Sequence, residues 1–425
     1  MHIALVCPDL HGHLNPMTTL GGELARRGHR VRLISSPMGK AAADRAGLGF
    51  LPVGVAEHES GDTARKLARL AESRGFAALR QTVELLRGQA AEFFRDAPDL
   101  LRGADAVVVD QVSPAGSAVA EALRLPYVKA CNALLVLQEA GVPPAVTPWP
   151  YRPGPLGRLR NRLGNLLLVT AARPLAAEVN DYRSRNGLPP YRVNDAVGPE
   201  LAWVAQQPAF FDFPRGELAP HFHYTGPWHA TGRDADVPFP WDRLDGRPLV
   251  YASLGTLQNR LRHVFAAILE GCAGLDVQVV MSLGTPGGAW DGPMPANAVV
   301  VPFAPQLRLL DRAALLVTHA GLNTALEGLA RGLPMLCLPV TNDQPGVARR
   351  VEWLGAGEML APSRATADRV RAAVTRLLGE PKYRAAAVGC RDKLKAGPGV
   401  ARAADVIERA FETRTRQERA AEGGK

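Results

Sequence analysis

The sequence predicts an α/β protein with two doubly wound, parallel-sheet domains joined by a linker. Short apolar runs of strand length alternate with helical segments in both halves of the 425-residue chain. The first of these runs, "IALVC", is apolar at every position, as in strands that are buried on both faces of a parallel sheet. A stretch rich in Pro, Gly and Asp, residues 222–248, interrupts the series without a period of 2 or 3.6, which is typical of an interdomain linker.

The first half, residues 1–221, begins with a βαβ unit. The strand "IALVC" precedes the helix "MTTLGGELARRG" and the strand "RVRLIS", and the pattern returns in "DAVVVD", "SPAGSAVAEALR" and "PYVKAC". Residues 57–100 are expected to be helical, and residues 141–200 to form a helical, Pro-rich insertion.

The second half, residues 249–398, contains five further strand-like runs that alternate with helices. Residues 399–412 predict a last helix that packs back on the N-terminal domain, and the charged, Gly-terminated segment 413–425 is expected to be disordered. Two such domains leave a cleft between the carboxyl ends of their strands, where open α/β sheets bind ligands.

The composition is that of a globular enzyme, with 47% hydrophobic and 21% charged residues. The net charge of +9 comes from dispersed arginines, and no nucleic-acid-binding motif accompanies it, so nucleic acid is not an expected partner. Five widely spaced cysteines without a C-x-x-C motif indicate reduced thiols. With no signal peptide and no run of about 18 to 20 apolar residues, the protein is expected to be cytoplasmic.

One segment concentrates arginine and leucine. Residues 151–173 read "YRPGPLGRLRNRLGNLLLVTAAR". Two interpretations stay open: a basic amphipathic helix that rests on lipid headgroups at a membrane surface, or a surface helix that packs its leucines inward.

Several functional classes lack their signatures. No G-x-G-x-x-G follows the first strand of either half, and no G-x-x-x-x-G-K-[ST] occurs, which disfavours dinucleotide oxidoreductases and P-loop ATPases. No spacing typical of metal ligands occurs either, so neither a metal nor another cofactor is expected.

The segment "THAGLNTALEG", residues 318–328, joins a strand to a helix. Gly321 lets an anion approach the free N–H groups at the helix start, Asn323 and Thr324 add short polar groups, and Glu327 is placed to accept from a diol such as ribose. A plain cap at Asn323 with a solvated Glu327 explains the same residues equally well.

Three neighbouring motifs favour a ligand site over a cap. "SLGT", which ends at Thr256, is a second strand-to-glycine turn. "PFAPQ" supplies an aromatic face at Phe303 and an amide at Gln306, and "TNDQ" supplies Asp343 and Gln344 at another strand end. Together these groups fit a nucleotide sugar. The aromatic ring and the amide suit the base, the helix start suits the diphosphate, and the remaining polar side chains suit the hydroxyl groups of the ribose and the sugar.

The N-terminal half offers a general base. The loop "PDLHGHLNP" places His11 and His13 before a helix, and a neutral imidazole there can take a proton from an alcohol. Asp110 ends the apolar strand "DAVVVD", where a carboxylate requires a partner. A capping histidine and a surface aspartate are the structural alternative.

The run from Phe303 to Gln344 closely resembles the nucleotide-sugar signature of the UDP-glycosyltransferase superfamily, which has the two-domain GT-B fold. The resemblance implies that Phe303 and Gln306 hold uracil and that Glu327 holds ribose. It also implies a diphosphate site and a sugar site, formed respectively by Thr256, His319, Asn323 and Thr324, and by Asp343 and Gln344. Plant members have Trp in place of Phe303 and Cys-Gly-Trp-Asn-Ser in place of "AGLNT", which leaves uracil or thymine open.

The same resemblance makes His13 and Asp110 the catalytic pair, with His11 as a substitute. It implies direct displacement, with inversion, at an α-linked nucleotide sugar. No metal is expected, because the helix N-terminus and His319 would offset the charge of the leaving diphosphate.

Acceptor recognition is expected from five apolar residues of the N-terminal domain: Phe76, Leu79, Leu135, Trp149 and Tyr151. Packing in the protein core is the alternative explanation for all of them. Motifs along nearly the whole chain, such as "NGLPPY" and "GPGVARAADVIERAF", are similar to bacterial zeaxanthin glucosyltransferases, which implies UDP-glucose as donor and a lipophilic alcohol as acceptor. Three alternatives stay open: a macrolide or polyketide glycosyltransferase that uses a TDP-deoxysugar, a nucleotide-sugar 2-epimerase, and a non-catalytic lipid-binding protein.

Overall fold

A computed structural model of the chain contains two parallel β-sheets, each covered by helices on both faces. It describes residues 1–73, 75–192, 200–216, 218–229, 236–255, 261–285 and 287–423. The predicted α/β class with two doubly wound domains is confirmed.

The N-terminal domain has seven strands and seven helices within the described residues. Its elements are β1 (His2–Val6), α1 (His11–Arg26), β2 (Arg30–Ser35), α2 (Lys40–Arg45), β3 (Gly49–Pro52), α3 (Val55–Glu59), α4 (Asp62–Glu72), α5 (Gly75–Leu100), β4 (Ala106–Asp110), α6 (Pro114–Ala122), β5 (Tyr127–Cys131), α7 (Pro155–Arg185), β6 (Trp203–Ala205) and β7 (Phe222–Tyr224).

The N-terminal sheet has the order β3-β2-β1-β4-β5-β6-β7, and all its strands are parallel. The central strands are buried on both faces because they carry apolar side chains at nearly every position; in β1, Leu5 lies opposite Leu33 on one side and Val108 on the other. The chain reverses its direction of winding between β1 and β4. The loops that follow these two strands therefore flank the switch point, where a crevice forms.

The C-terminal domain repeats this arrangement. Its elements are β8 (Leu249–Ser253), α8 (Arg262–Cys272), β9 (Gln278–Ser282), β10 (Ala298–Val301), α9 (Gln306–Leu310), β11 (Ala313–Thr318), α10 (Leu322–Ala330), β12 (Met335–Cys337), α11 (Gln344–Trp353), β13 (Gly357–Met359), α12 (Ala367–Gly379), α13 (Pro381–Lys395) and α14 (Gly399–Gly423). The sheet order is β10-β9-β8-β11-β12-β13. Its switch point lies between β8 and β11.

The domain limits differ from the sequence-based expectation at two points. Phe222–Tyr224 forms β7, the edge strand of the N-terminal sheet, because it pairs with β6 in the register Trp203 to Phe222, so the linker begins after it. The last helix extends to Gly423, whereas residues 413–425 were expected to be disordered.

The last helix, α14, packs on α1 of the N-terminal domain. Ile407 and Phe411 are buried in the same apolar cluster as Leu20. On the surface, Arg27 pairs with Asp405 at 2.7 Å. The C-terminal end of the chain thereby joins the two domains a second time.

All five cysteines are buried and none is in a disulfide. Among the helices that the structure describes, none is long and apolar enough to cross a membrane.

Candidate active site

The two switch points face each other across a cleft of about 390 Å³. The N-terminal wall comes from the loop after β1, the start of α1 and the loop after β5. The C-terminal wall comes from the loops after β8, β9, β10, β11 and β12 and the start of α10. Residues predicted from widely separated motifs thus line one cavity.

His13 and Asp110 form a hydrogen-bonded pair at the N-terminal wall. His13 Nδ1 lies 2.8 Å from Asp110 Oδ2, and the carboxylate is fully buried while the imidazole is 14% exposed. Asn132 Nδ2 donates to the same carboxylate oxygen at 2.6 Å, and the Val112 N–H donates to Oδ1 at 3.0 Å. The carboxylate therefore has a fixed orientation, and it fixes the imidazole in turn.

Burial and the carboxylate act on His13 in opposite directions. Burial alone would lower its pKa, but the charge and hydrogen bond of Asp110, with a smaller contribution from Asp343, raise the pKa of His13 above its ordinary value of 6.5. The neighbouring His11 has no such partner; burial and the charge of Arg45 lower its pKa. His11 and His13, which were predicted to precede the helix, lie in the first turn of α1, and His13 is the one of the two that has the electrostatics of a general base.

His319 lies on the opposite wall, between two glycines. A Cβ on Gly255 would lie 2.8 Å from its Nε2, and a Cβ on Gly321 would lie 2.7 Å from the same atom. Gly255 also has φ +79°, which disfavours any other residue there. Burial lowers the pKa of His319 to about 4, and a hydrogen bond with the Ser253 backbone counters this only in part.

The imidazole of His319 is therefore neutral near pH 7. In this state the ring can offer a hydrogen bond to an anion, and the expectation that His319 offsets the charge of a diphosphate stays a prediction. Thr256, the other residue predicted from the "SLGT" turn, lies outside the described residues.

The start of α10 contacts the N-terminal domain. The helix begins at Leu322 with Gly321 as its N-cap, and Asn323 Nδ2 donates to the Gly12 carbonyl at 2.9 Å. Gln206 Nε2 donates to Asn323 Oδ1 at 2.7 Å. Asn323 and Thr324 line the cleft as predicted, and Asn323 also joins its two walls.

Glu327 is placed differently from the prediction. One turn into α10, it is fully buried, and its carboxylate accepts from Gln306 Nε2 at 2.7 Å. Gln306 and Phe303, which is 41% exposed, do line the cleft. Glu327 holds the predicted base-binding amide in place from behind and is not itself part of the cleft wall.

Asp343 and Gln344 follow β12 and line the cleft beside His13. Asp343 Oδ2 accepts from the Leu134 N–H at 2.9 Å, and Gln344 Oε1 accepts from the Val340 N–H at 2.8 Å. Burial raises the pKa of Asp343, while the hydrogen bond and the His13 charge oppose the shift. Both predicted sugar-binding residues are thus held by backbone contacts.

A second, smaller cavity of about 50 Å³ lies at the N-terminal switch point and shares Asp9 with the cleft. Its walls are mostly apolar, with Ile34, Val53 and Phe93 among them. Asp9 and Glu92 are its acidic lining residues, and burial, with the nearby charge of Glu57, raises the pKa of Glu92 to about 7.

The predicted acceptor residues are not among the described residues that line this cavity or the cleft. Leu135 is 1% exposed and packs in an apolar core cluster. Trp149 lies beneath the guanidinium of Arg160, and Tyr151 stacks on Phe213 at 5.3 Å. Packing contacts thus account for these three residues, a correction to the prediction.

The other two acceptor predictions lie on α5. Leu79 is half-buried outside both cavities, and the side chain of Phe76 lies outside the described residues.

Sequence reasoning missed several polar residues at the cleft. Asn132 directly follows β5, so the rule that selected Asp110, a polar residue at the carboxyl end of an apolar strand, could have found it. Asp9 accepts from Ser36 at 2.6 Å and from Gln89 at 2.9 Å, a network that brings together the loops after β1 and β2 and the helix α5 and has no local signal.

Comparison with known proteins shows the family to which the chain belongs. Residues 266–410 match the family model described as "Erythromycin biosynthesis protein CIII-like, C-terminal domain". The chain is 31% identical to the zeaxanthin glucosyltransferase of Pantoea ananas, over 96% of this chain and 95% of the relative. The chain belongs to the UDP-glycosyltransferase superfamily. The resemblance inferred from its motifs is thereby confirmed.

Two further matches agree. This glycosyltransferase is 31% identical to the 4'-demethylrebeccamycin synthase of Lentzea aerocolonigenes, over 93% of this chain and 96% of the relative. The crystal structure of the glycotransferase of kitacinnamycin superposes with a TM-score of 0.75 at 25% identity, covering 96% of this chain and 98% of that one. The two-domain fold is therefore GT-B.

Proposed function

We propose that this glycosyltransferase transfers glucose, or a similar hexose, from a UDP-sugar to a hydroxyl group of a lipophilic small molecule such as a carotenoid or terpenoid. The observation that carries the proposal is the His13 to Asp110 hydrogen bond of 2.8 Å beside the cleft. With Nδ1 held by the carboxylate, Nε2 is the ring nitrogen that can accept a proton.

The reaction then follows in one displacement. His13 Nε2 takes the proton of the acceptor hydroxyl as its oxygen forms a bond to the anomeric carbon, and the bond from that carbon to the diphosphate oxygen breaks. UDP leaves with the bonding electrons, and His13 keeps the proton. An α-linked donor gives a β-glycoside, with inversion. Asp110 stabilises the imidazolium that forms.

On the donor side, the N-terminus of α10 and neutral His319 hydrogen-bond the diphosphate, and Asn323 and Thr324 support it. Phe303 and Gln306 hold the uracil, and Glu327 acts through Gln306. Asp343 and Gln344 bind the hydroxyl groups of the sugar. The reaction needs no metal, because backbone N–H groups and these side chains surround the leaving diphosphate.

The lipophilic acceptor is supported by the 31% identity to a zeaxanthin glucosyltransferase. A carotenoid or terpenoid dissolves in membranes. The enzyme is accordingly proposed to work in the cytoplasm, at the inner surface of the membrane.

A TDP-deoxysugar-dependent macrolide or polyketide glycosyltransferase is the second candidate. The family model named for erythromycin biosynthesis and the resemblance to the kitacinnamycin glycotransferase favour it.

A donor and acceptor matrix separates the two. The enzyme is incubated with UDP-glucose or TDP-deoxysugars and with carotenoids, terpenoids, flavonoids or macrolides, and the products are identified by mass. Conjugates from UDP-glucose are expected, and EDTA should not reduce them. Conjugates from a TDP sugar alone would replace the donor assignment, and conversion of the donor without any acceptor would indicate epimerisation.

A further inference from the structure

The N-terminal half of α7 exposes an unusual set of side chains. Five leucines on it are between 55% and 82% exposed: Leu156, Leu159, Leu163, Leu166 and Leu167. At about 100° per residue they form one stripe about 100° wide along the helix. A helix of a globular protein ordinarily turns such a stripe toward the core.

The inner face of the same helix turns consists of small and amide residues. Gly157, Asn161, Gly164 and Asn165 are buried. Asn161 Nδ2 donates to the Ala140 carbonyl at 3.0 Å, and a Cβ on Gly164 would lie 2.6 Å from the Trp149 ring. The helix is therefore fixed to the protein by its Gly and Asn face, which rules out that its leucines pack inward.

The charges around the stripe have one sign. Arg152, Arg158, Arg162 and Arg173 are exposed, and the sequence has no acidic residue from position 151 to 177. Among the described helices none can span a bilayer, so this surface can lie on a membrane but not cross it.

We propose that this leucine stripe, with its flanking arginines, is a docking surface for an anionic phospholipid bilayer. The leucines enter the region between headgroups and acyl chains, and the arginines contact lipid phosphates. The role of this docking surface rests on the proposed function, because through it the enzyme would reach an acceptor that is dissolved in the membrane.

The buried Gly and Asn face of α7 is also connected to the cleft. The loop that Asn161 contacts, residues 133–150, begins directly after Asn132, which bonds Asp110. The buried face of α7 is thus joined through this loop to the residue that orients the Asp110 carboxylate.

Vesicle sedimentation of the full chain tests the proposal. Vesicles of phosphatidylcholine alone are compared with vesicles of equal parts phosphatidylcholine and phosphatidylglycerol, without donor or acceptor. We expect binding to the anionic vesicles that falls with salt. Each arginine near an anionic surface strengthens binding about fivefold, so Arg158→Glu with Arg162→Glu should weaken it at least about 25-fold.

A second pair of substitutions tests the leucines, and two surface variants serve as controls. Leu163→Ser with Leu167→Ser should weaken vesicle binding at least about tenfold. Two matched surface changes in the C-terminal domain, Met294→Ser and Arg384→Glu, should leave it unchanged. All variants should retain transfer to a water-soluble alcohol, which is measured separately and fails only if the proposed function fails.

Equal sedimentation with both vesicle types would overturn the proposal. So would α7 variants that bind vesicles like the wild type, or control variants that lose as much vesicle binding as the α7 variants do. A dimer that Leu163→Ser with Leu167→Ser converts to a monomer, in a protein that ignores vesicles, would assign the stripe to a second copy instead.

Discussion

His13 and His319 lie on opposite walls of one cleft, each after a strand at the switch point of its own sheet. Burial lowers the pKa of both. His13 has the buried carboxylate of Asp110 at 2.8 Å, and its pKa ends above 6.5; His319 lies between two glycines, and its pKa falls to about 4.

The partner of a buried histidine, and not its position in the fold, therefore decides what the side chain can do. Carboxylate contact makes His13 a base that can hold a proton during the reaction. Without such contact, His319 is a neutral hydrogen-bond donor, suited to an anion that arrives with its own charge.

Removing the base should have the largest effect. In His13→Ala we expect kcat to fall about 10³-fold, because a positioned general base contributes about 10² to 10⁴. Calorimetric titration with UDP should give a dissociation constant close to the wild type. The control is His11→Ala, expected within about threefold. Equal losses in the two variants would remove His13 from its role.

Stability should respond to pH in opposite directions through the two histidines. The raised pKa of His13 stabilises the fold below about pH 6.5, and this contribution is lost as the pH rises through the folded pKa. The lowered pKa of His319 does the reverse: the free energy of unfolding decreases by about 2 kcal/mol from pH 6.5 to about 4.5.

Urea unfolding of the wild type and two histidine variants at pH 6.5 and at about pH 4.5 measures these opposite changes in the free energy of unfolding. His319→Gln should lose less stability than the wild type on acidification, and His13→Ala should lose more. Parallel curves for all three proteins would contradict the opposite assignment.

Conservative replacement of His319 should have the smallest effect. If the neutral ring acts as a donor, His319→Gln should lower kcat/KM for the donor by no more than about tenfold, whereas His319→Ala should lower it about 10²-fold. Steady-state kinetics at saturating acceptor measure both. A His319→Lys variant more active than His319→Gln would show that the site requires a charge.

Much of the fold could be predicted, because central strands such as β4 are apolar at nearly every position and buried on both faces. Four strands were not predicted from the sequence: β3, β6, β7 and β13, which have only three or four residues each. Their pairing depends on neighbours distant in sequence, which no local period reveals. The leucines of α7 showed the same limit, because a stripe in sequence does not tell which face packs.

In the candidate site, too, residues next to predictable elements could be identified, and residues whose position depends on tertiary packing could not. His13, Asp110 and the donor motifs sit directly after strands or at a helix start, where the fold dictates direction, and the structure brings them to one cleft. Glu327 and Leu135 were misplaced because burial depends on tertiary packing: one lies behind Gln306 and the other in the core. Apolar composition alone does not distinguish a cavity wall from a core.

The pH dependence of kcat/KM in the wild type and in Asp110→Asn measures whether Asp110 makes His13 the base. Because His13 must be neutral to accept a proton, the wild type should lose activity on acidification with an apparent pKa above 6.5. In Asp110→Asn the carboxylate charge is gone, so this apparent pKa should fall below the wild-type value while the activity plateau drops about 10²-fold or more. An acid limb that stays at the same pH in both proteins would contradict the claim that Asp110 makes His13 the base.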